Sequence, residues 1–240
     1  MLRHMTQKLK DKIIVVTGAS RGIGASVAKR LSKEGGHCVL IARDVAKLEA
    51  VDDAIQTITG KPATIVPLDL LDMQKIDALG AALLQKFGHI DGFIGNAAIL
   101  GQVTPLTHHD PTLFEKVMTV NVTANWRLLR ILDPLLMQSD APRVTCVTSG
   151  ITQMHEPFWG AYAASKHALE SLMMTYAAER KDTTMRVNLI DPAIVATDMR
   201  AQAFPSEKKE SLLKPDDLAL TDLFVRAMGE NAPHAQRLSV

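Results

Sequence analysis

Ile13-Ile14-Val15-Val16-Thr17-Gly18-Ala19-Ser20-Arg21-Gly22-Ile23-Gly24 is a short apolar run followed by a glycine-rich turn, and a helical pattern continues from it to Lys33. Glycines in such a place allow a tight turn, let backbone come close to a ligand and let a helix pack against a strand. A helix starting there aims its unpaired N–H groups and the positive end of its dipole at the turn, which suits phosphate groups. The turn lacks the Lys-Ser/Thr ending of a nucleoside triphosphate loop, so a dinucleotide is the better ligand. Standing alone, the same glycines would serve a plain strand-to-helix connection.

Outward from this turn the chain repeats one theme. Apolar runs at 38–41, 64–68, 93–94, 144–147 and 187–190 read as further strands. They are continuous rather than alternating, as expected of strands covered on both faces in a parallel sheet with crossover helices. Helical patterns fill the gaps at 22–33, 45–58, 73–87, 112–137, 161–180 and 215–228. Asp44 and Asp72 stand where N-caps belong, and Gly35-Gly36 closes the first helix. No repeat or linker divides the chain. Residues 1–240 are therefore read as a single α/β domain, a doubly wound parallel sheet (Rossmann fold) with helices on both faces. Its ligand site lies beyond the carboxyl ends of the strands, where strand order reverses.

Composition narrows the function. With 47% hydrophobic and 22% charged residues in 240, the chain can bury a core and remain dispersed in water. Lys and Arg number 27 against 26 Asp and Glu, so no basic field is available for nucleic acid or anionic lipid. Residues 1–12 are polar and basic, no run suits a signal peptide or a bilayer span, and the expected location is cytoplasmic. Cys38 and Cys146 sit in apolar runs and read as inert core thiols; no metal-ligand spacing is present, so no metal is expected.

At the end of the second strand stands Ala42-Arg43, with no acid to hold two free ribose hydroxyls. Arg43 and Arg21 would together grip a 2′-phosphate, which favours NADP(H) over NAD(H). The alternative makes both arginines solvated, with Arg43 paired to Asp44. Tyr162 and Lys166 lie four apart at the start of a helix and share a face. A free tyrosine ionises near pH ~10, and a neighbouring ammonium is expected to lower that value, making the phenol a usable proton donor and acceptor.

Taken together, the Thr17-Gly18-x-x-x-Gly22-x-Gly24 turn, Asn96-Ala97-Ala98, Asn121, Ser149, Tyr162-x-x-x-Lys166, and Pro192 with Thr197 resemble the short-chain dehydrogenase/reductase family over nearly the whole chain. The resemblance implies a hydride transfer between nicotinamide and a carbonyl or alcohol carbon. In it Tyr162 is the general acid/base, Ser149 binds the reacting oxygen, and Lys166 holds the nicotinamide ribose and tunes the phenol. Asn121 supports a proton-relaying water. It further implies cofactor contacts at Gly18, Ser20, Arg21, Gly22, Ile23, Gly24, Arg43, Asp69, Leu70, Asn96, Ala97, Ala98, Pro192, Val195 and Thr197. For Asp69 a capping role is the competing expectation. The chain departs from the family's usual Asn-Ala-Gly and Pro-Gly at Ala98 and Ala193, and Ala193 would crowd the nicotinamide or require a different backbone angle.

On the substrate side, Gln153, Met154, His155, Phe158 and Trp159 would form one wall. Met199 and Phe204 would contribute from a lid over residues 198–214, unless that segment is a plain connection. Phe158 and Trp159 serve equally well as packing or subunit contacts. Two other functions stay open: a non-catalytic NADP(H)-binding regulatory or scaffold protein on the same fold, and, less well matched, a sugar-nucleotide epimerase or dehydratase. The partners implied are a small carbonyl or alcohol substrate and further copies of the chain, as a homodimer or homotetramer paired through the helices at 112–137 and 161–180.

Overall fold

The computed structural model describes residues 7–240; residues 1–6, half of the basic N-terminal stretch read above, lie outside the described residues. Seven strands, β1 (Ile13–Thr17), β2 (His37–Ala42), β3 (Thr64–Pro67), β4 (Gly92–Gly95), β5 (Arg143–Val147), β6 (Arg186–Asp191) and β7 (Gln236–Ser239), form one sheet in the order β3-β2-β1-β4-β5-β6-β7. Every neighbouring pair is parallel. Successive residues of a strand face opposite sides, and here both sides are buried. Val15, Val39, Ile41 and Phe93 enter the core under α3 (Met73–Phe87), α5 (Ala124–Leu136) and α6 (Gly160–Glu179). Ile14, Val16, Leu40 and Ile94 enter the core under α1 (Gly22–Lys33), α2 (Val45–Thr59) and α8 (Leu218–Met228). Two-sided burial is the reason the runs carry no polar alternation.

The helix starts follow their caps. Asp44 accepts a hydrogen bond from Lys47 N and Asp72 one from Lys75 N, each at 3.1 Å; such a cap contributes about 1 kcal/mol. Gly35, at φ +93°, turns the chain out of α1. Both thiols are buried and free. Burial pushes Cys38 up to about 11 and Cys146 up to about 12, which keeps them protonated and unreactive. Among the described residues no helix is long and apolar enough to cross a membrane.

Four elements differ from the sequence reading. The pattern at 112–137 is α4 (Pro111–Met118), a π-helical segment at Thr119–Thr123, then α5. Asn125 Nδ2 lies within the segment's bonding and donates to Val120 O at 3.4 Å and Asn121 O at 3.0 Å. The last helix begins at Leu218 rather than 215, because Asp217 caps it by accepting from Ala219 N at 2.8 Å. A short helix, α7 (Asp198–Ala203), and the edge strand β7 were not read at all. In β7 only Leu238 is buried, so no apolar run announces it.

Candidate active site

Strand order reverses between β1 and β4, and there the two strand ends are stitched together. Thr17 Oγ1 accepts from Asn96 N and Ala97 N, each at 3.0 Å, and Asn96 Nδ2 donates to Thr17 O at 2.8 Å. Gly18 and Gly22 adopt φ +65° and +55°, the left-handed region that favours glycine. A Cβ on Gly24 would stand 2.3 Å from Gly18 O and 2.5 Å from Asn96 Nδ2, so only glycine lets α1 sit this close to the turn. Arg21 precedes α1 without a side-chain cap, and the first turn holds no acid. The helix therefore presents unpaired N–H groups and an uncompensated dipole to the space in front of it.

That space is a cleft of about 1120 Å³ running along the carboxyl ends of the strands. Gly18, Ser20, Arg21, Gly22 and Ile23 line it from the first turn, and Arg43 from the end of β2. Asp69 and Leu70 follow β3, and Asn96, Ala97 and Ala98 follow β4. Ser149, Tyr162, Lys166, Pro192, Val195 and Thr197 complete the opposite wall, with Trp159, Met199 and Phe204 at one end. Gly24, Asn121 and Gln153 do not line it. Gly24 packs helix against turn, Asn121 is buried behind the wall, and Gln153 is exposed on a 3-10 turn whose neighbour Met154 lines the cleft instead.

The cleft's arginines already have partners. Arg21 Nη1 lies 2.6 Å from Asp198 Oδ2, and Arg43 Nη1 lies 3.8 Å from Asp69 Oδ2, all four side chains being exposed. Arg43 thus faces Asp69 and not its neighbour Asp44, which caps α2 and pairs with Lys47 at 2.8 Å. Asp69 caps no helix; its Oδ1 accepts from Leu71 N at 3.0 Å within a local turn. Exposed pairs of this kind contribute at most about 1 kcal/mol each and yield readily to a more highly charged anion.

Ser149 lies two residues beyond β5, and its Oγ accepts from Ile151 N at 3.3 Å. Tyr162 and Lys166 share one face of the first turns of α6, with Lys166 Nζ 5.8 Å from the Tyr162 ring centre. Both are buried, Lys166 to 2% exposure. Lys166 Nζ donates to Val147 O at 2.8 Å. Burial pushes the Tyr162 phenol up to about 12, against a hydrogen bond with Ser149 that favours ionisation, and the Asp191 charge adds to the rise. Burial also pulls the Lys166 ammonium down to about 8. The sequence reading had the ammonium lowering the phenol. In this geometry burial comes first for both groups, and the phenol responds to Ser149 and Asp191 rather than to the ammonium.

Asn121 occupies the π-helical segment and is fully buried. Its Oδ1 accepts from Ile99 N at 2.9 Å, and its Nδ2 donates to Ile99 O at 3.0 Å and Ser165 Oγ at 2.9 Å. Ser165 Oγ in turn donates to Tyr162 O at 2.7 Å. These bonds tie the segment after β4 to the backbone carrying Tyr162, and the Asn121 side chain is committed to them rather than to Lys166. Ala193 takes φ +58°, with its N donating to Asp191 Oδ1 at 3.1 Å. The departure from Pro-Gly is thus met by a left-handed alanine.

At the far end the cleft is apolar and aromatic. Leu100, Ile151 and Tyr162 form a small cluster, with Trp159, Met199 and Ala203 packed against it. The Trp159 ring meets Tyr162 edge-on at 5.9 Å and lies 5.7 Å from the Phe204 ring. Arg200 stacks 3.7 Å over Phe204 and grips Glu207 with two hydrogen bonds of 2.6 Å. Ala196 N donates to Leu213 O at 2.8 Å, so the ends of segment 198–214 are pinned together. Sequence reading passed over Leu100, Ile151 and Arg200, and took Thr17 only as part of the glycine-turn motif. Thr17 ends β1 and Leu100 and Ile151 follow strand ends, a usable signal, whereas nothing local marks Arg200.

The sequence profile of the short chain dehydrogenase family matches residues 12–208, and the chain belongs to this family of oxidoreductases. Among known proteins it is 37% identical over 226 residues to YciK, an uncharacterized oxidoreductase of Escherichia coli K12, covering 93% of this chain and 88% of that one. It is 32% identical over 195 residues to a benzil reductase ((S)-benzoin forming) of Saccharomyces cerevisiae, covering 79% and 73%. Among solved structures, a short chain dehydrogenase from Escherichia coli CFT073 complexed with NADPH superposes with a TM-score of 0.92 at 35% identity, covering 97% of this chain and 98% of that one.

Proposed function

We propose that this protein is an NADP(H)-dependent carbonyl reductase, reversible as an alcohol dehydrogenase, in which Tyr162 moves the proton. The observation carrying this reading is that one cleft holds both an anion cradle, built from the uncapped start of α1 and its glycines, and the Ser149, Tyr162 and Lys166 side chains.

The cleft suits a dinucleotide. The turn from Gly18 to Ile23 and the α1 N–H groups would hold the pyrophosphate, and Arg21 and Arg43 would release their carboxylates for a 2′-phosphate. Lys166 would hold ribose hydroxyls, and the Pro192–Thr197 wall would hold the carboxamide. The NADPH complex of the similar Escherichia coli protein supports this choice. When bound, the cofactor supplies or accepts the hydride at the substrate carbon.

The remaining chemistry belongs to the chain. Ser149 holds the carbonyl oxygen, and Tyr162 gives that oxygen its phenolic proton on reduction and takes it back on oxidation. A phenol pushed up to about 12 is protonated at neutral pH, so the side chain is ready as an acid. The Trp159, Phe204, Leu100 and Ile151 surfaces suit a substrate with an apolar body, and segment 198–214 acts as a lid over it. Two copies pair through α5 and α6, where exposed Trp126 and Leu172 border a groove of about 290 Å³.

The cofactor choice is tested by thermal denaturation. At equal concentration NADPH raises the melting temperature more than NADH, since stabilisation follows affinity. A larger rise with NADH would discard the assignment of Arg21 and Arg43.

A further inference from the structure

Arg237 lies in β7, beside Leu189 of β6. An arginine on an edge strand ordinarily wards off pairing with other sheets. This one instead makes four contacts on the cleft's supporting wall. Its Nη2 donates to Ser149 O at 2.9 Å and to Asp191 Oδ2 at 2.8 Å. Its Nη1 donates to Thr152 Oγ1 at 2.7 Å and to Glu170 Oε1. The Thr152 hydroxyl is also within 2.9 Å of Ser149 O and 2.8 Å of Glu170 Oε1, and Thr148 Oγ1 bonds the same carboxylate.

Each partner belongs to an element that carries part of the site. Ser149 follows the end of β5, Glu170 lies one helical turn beyond Lys166 on α6, and Asp191 ends β6 and holds Ala193 N through its other oxygen. The fork of a guanidinium fixes direction as well as distance, so one side chain sets these three elements relative to one another. Glu170 and Asp191 are largely buried, at 19% and 15% side-chain exposure, and their charges need this partner.

We propose that Arg237 is a positioning residue of the active site, holding Ser149 and the Asp191–Ala193 turn in the places from which they serve Tyr162 and Lys166. The role rests on the reading of Ser149 and Tyr162 given above. The electrostatic consequence has a definite sign. The Tyr162 phenol faces Ser149, Asp191 and Lys166, and Lys166 faces Cys146 and Glu170. With Arg237 gone, Asp191 and Glu170 act at full charge, and both the phenol and the ammonium are pushed upward.

The test compares Arg237→Met and Arg237→Lys with the wild-type chain. Backbone amide exchange, read without any ligand, accelerates about 5-fold or more in segments 149–154 and 191–197 of Arg237→Met and is unchanged in α1 and β1. The dissociation constant for NADPH rises while that for adenosine 2′,5′-bisphosphate, a probe of the far half of the cleft, stays the same. Carbonyl reduction slows about 10-fold or more, as misplaced catalytic groups require, and its alkaline limb moves to higher pH. Arg237→Lys, which keeps the charge and loses the fork, restores the limb but not the exchange; it also serves where Arg237→Met does not fold. Unchanged exchange in both segments overturns the proposal. So does faster exchange with wild-type turnover and pH profile, which would leave Arg237 a structural tie. Failure of the wild-type chain to bind NADPH or reduce any carbonyl would instead remove the functional reading, and the exchange result would still decide whether Arg237 holds these segments.

Discussion

Burial of the Lys166 ammonium pulls it from the usual lysine range down to about 8, and the consequence for stability has a fixed direction. Between pH 8 and the unfolded value of about 10.5 the unfolded chain binds the extra proton, so stability from this group rises with pH across that window. Below it the full cost is present. Lys166→Met is therefore expected to stabilise the fold at pH 7, by about 1–3 kcal/mol after the lost bond to Val147 O is counted. Its advantage shrinks above pH 8, and activity is lost. Urea unfolding at the two pH values checks this, and a lower midpoint for the variant at pH 7 would contradict it. Tyr162 acts oppositely: a folded-state value of about 12 gives a contribution that is present below pH 10 and is lost as pH climbs beyond it. At these two residues the sequence conveyed identity and shared face. It did not convey burial, the largest cause of both shifts. At Ala193 it conveyed a departure from the family, and the outcome, φ +58°, depends on the bond to Asp191.

The strands were readable where both faces are covered, since every residue of Val15-Val16 or Leu40-Ile41 must then be apolar. β7 escaped because its outer edge has no neighbour and only Leu238 is buried. The interruption of 112–137 escaped because the bonds from Asn125 that lie within the π-helical segment are invisible in a linear reading. The glycine turn was legible as a tight turn, but its last glycine, expected among the cofactor contacts, instead packs helix against turn. Gly24→Ala places a methyl against Gly18 O, where neither backbone can withdraw. The expected cost is about 2 kcal/mol or more, with loss of the NADPH-induced rise in melting temperature. A variant with wild-type melting behaviour and an intact rise would show that the turn has room the present geometry denies.

Contacts between distant parts of the chain were not legible. Arg21 with Asp198, Arg30 with Asp222 and Arg237 with Ser149 join residues whose spacing carries no local pattern. Pairing between copies is likewise a property of surfaces. Replacing Trp126 and Leu172 together by glutamate places charge on the α5–α6 face; under the proposed pairing, light scattering should report a dimer or tetramer for the unaltered chain and a folded monomer for the variant. Retention of the oligomer would move the interface elsewhere.

The central proposal is that one cleft serves both cofactor and proton transfer, and the fold, the uncapped helix and the Tyr162 environment support it. The most direct measurement is NADPH-dependent reduction of an aryl ketone or diketone by the wild-type chain and by Tyr162→Phe. The variant is expected to bind NADPH as before and to turn over about 10²–10⁴-fold more slowly, the usual contribution of a general acid. Turnover by Tyr162→Phe at the wild-type rate would contradict the proposed mechanism.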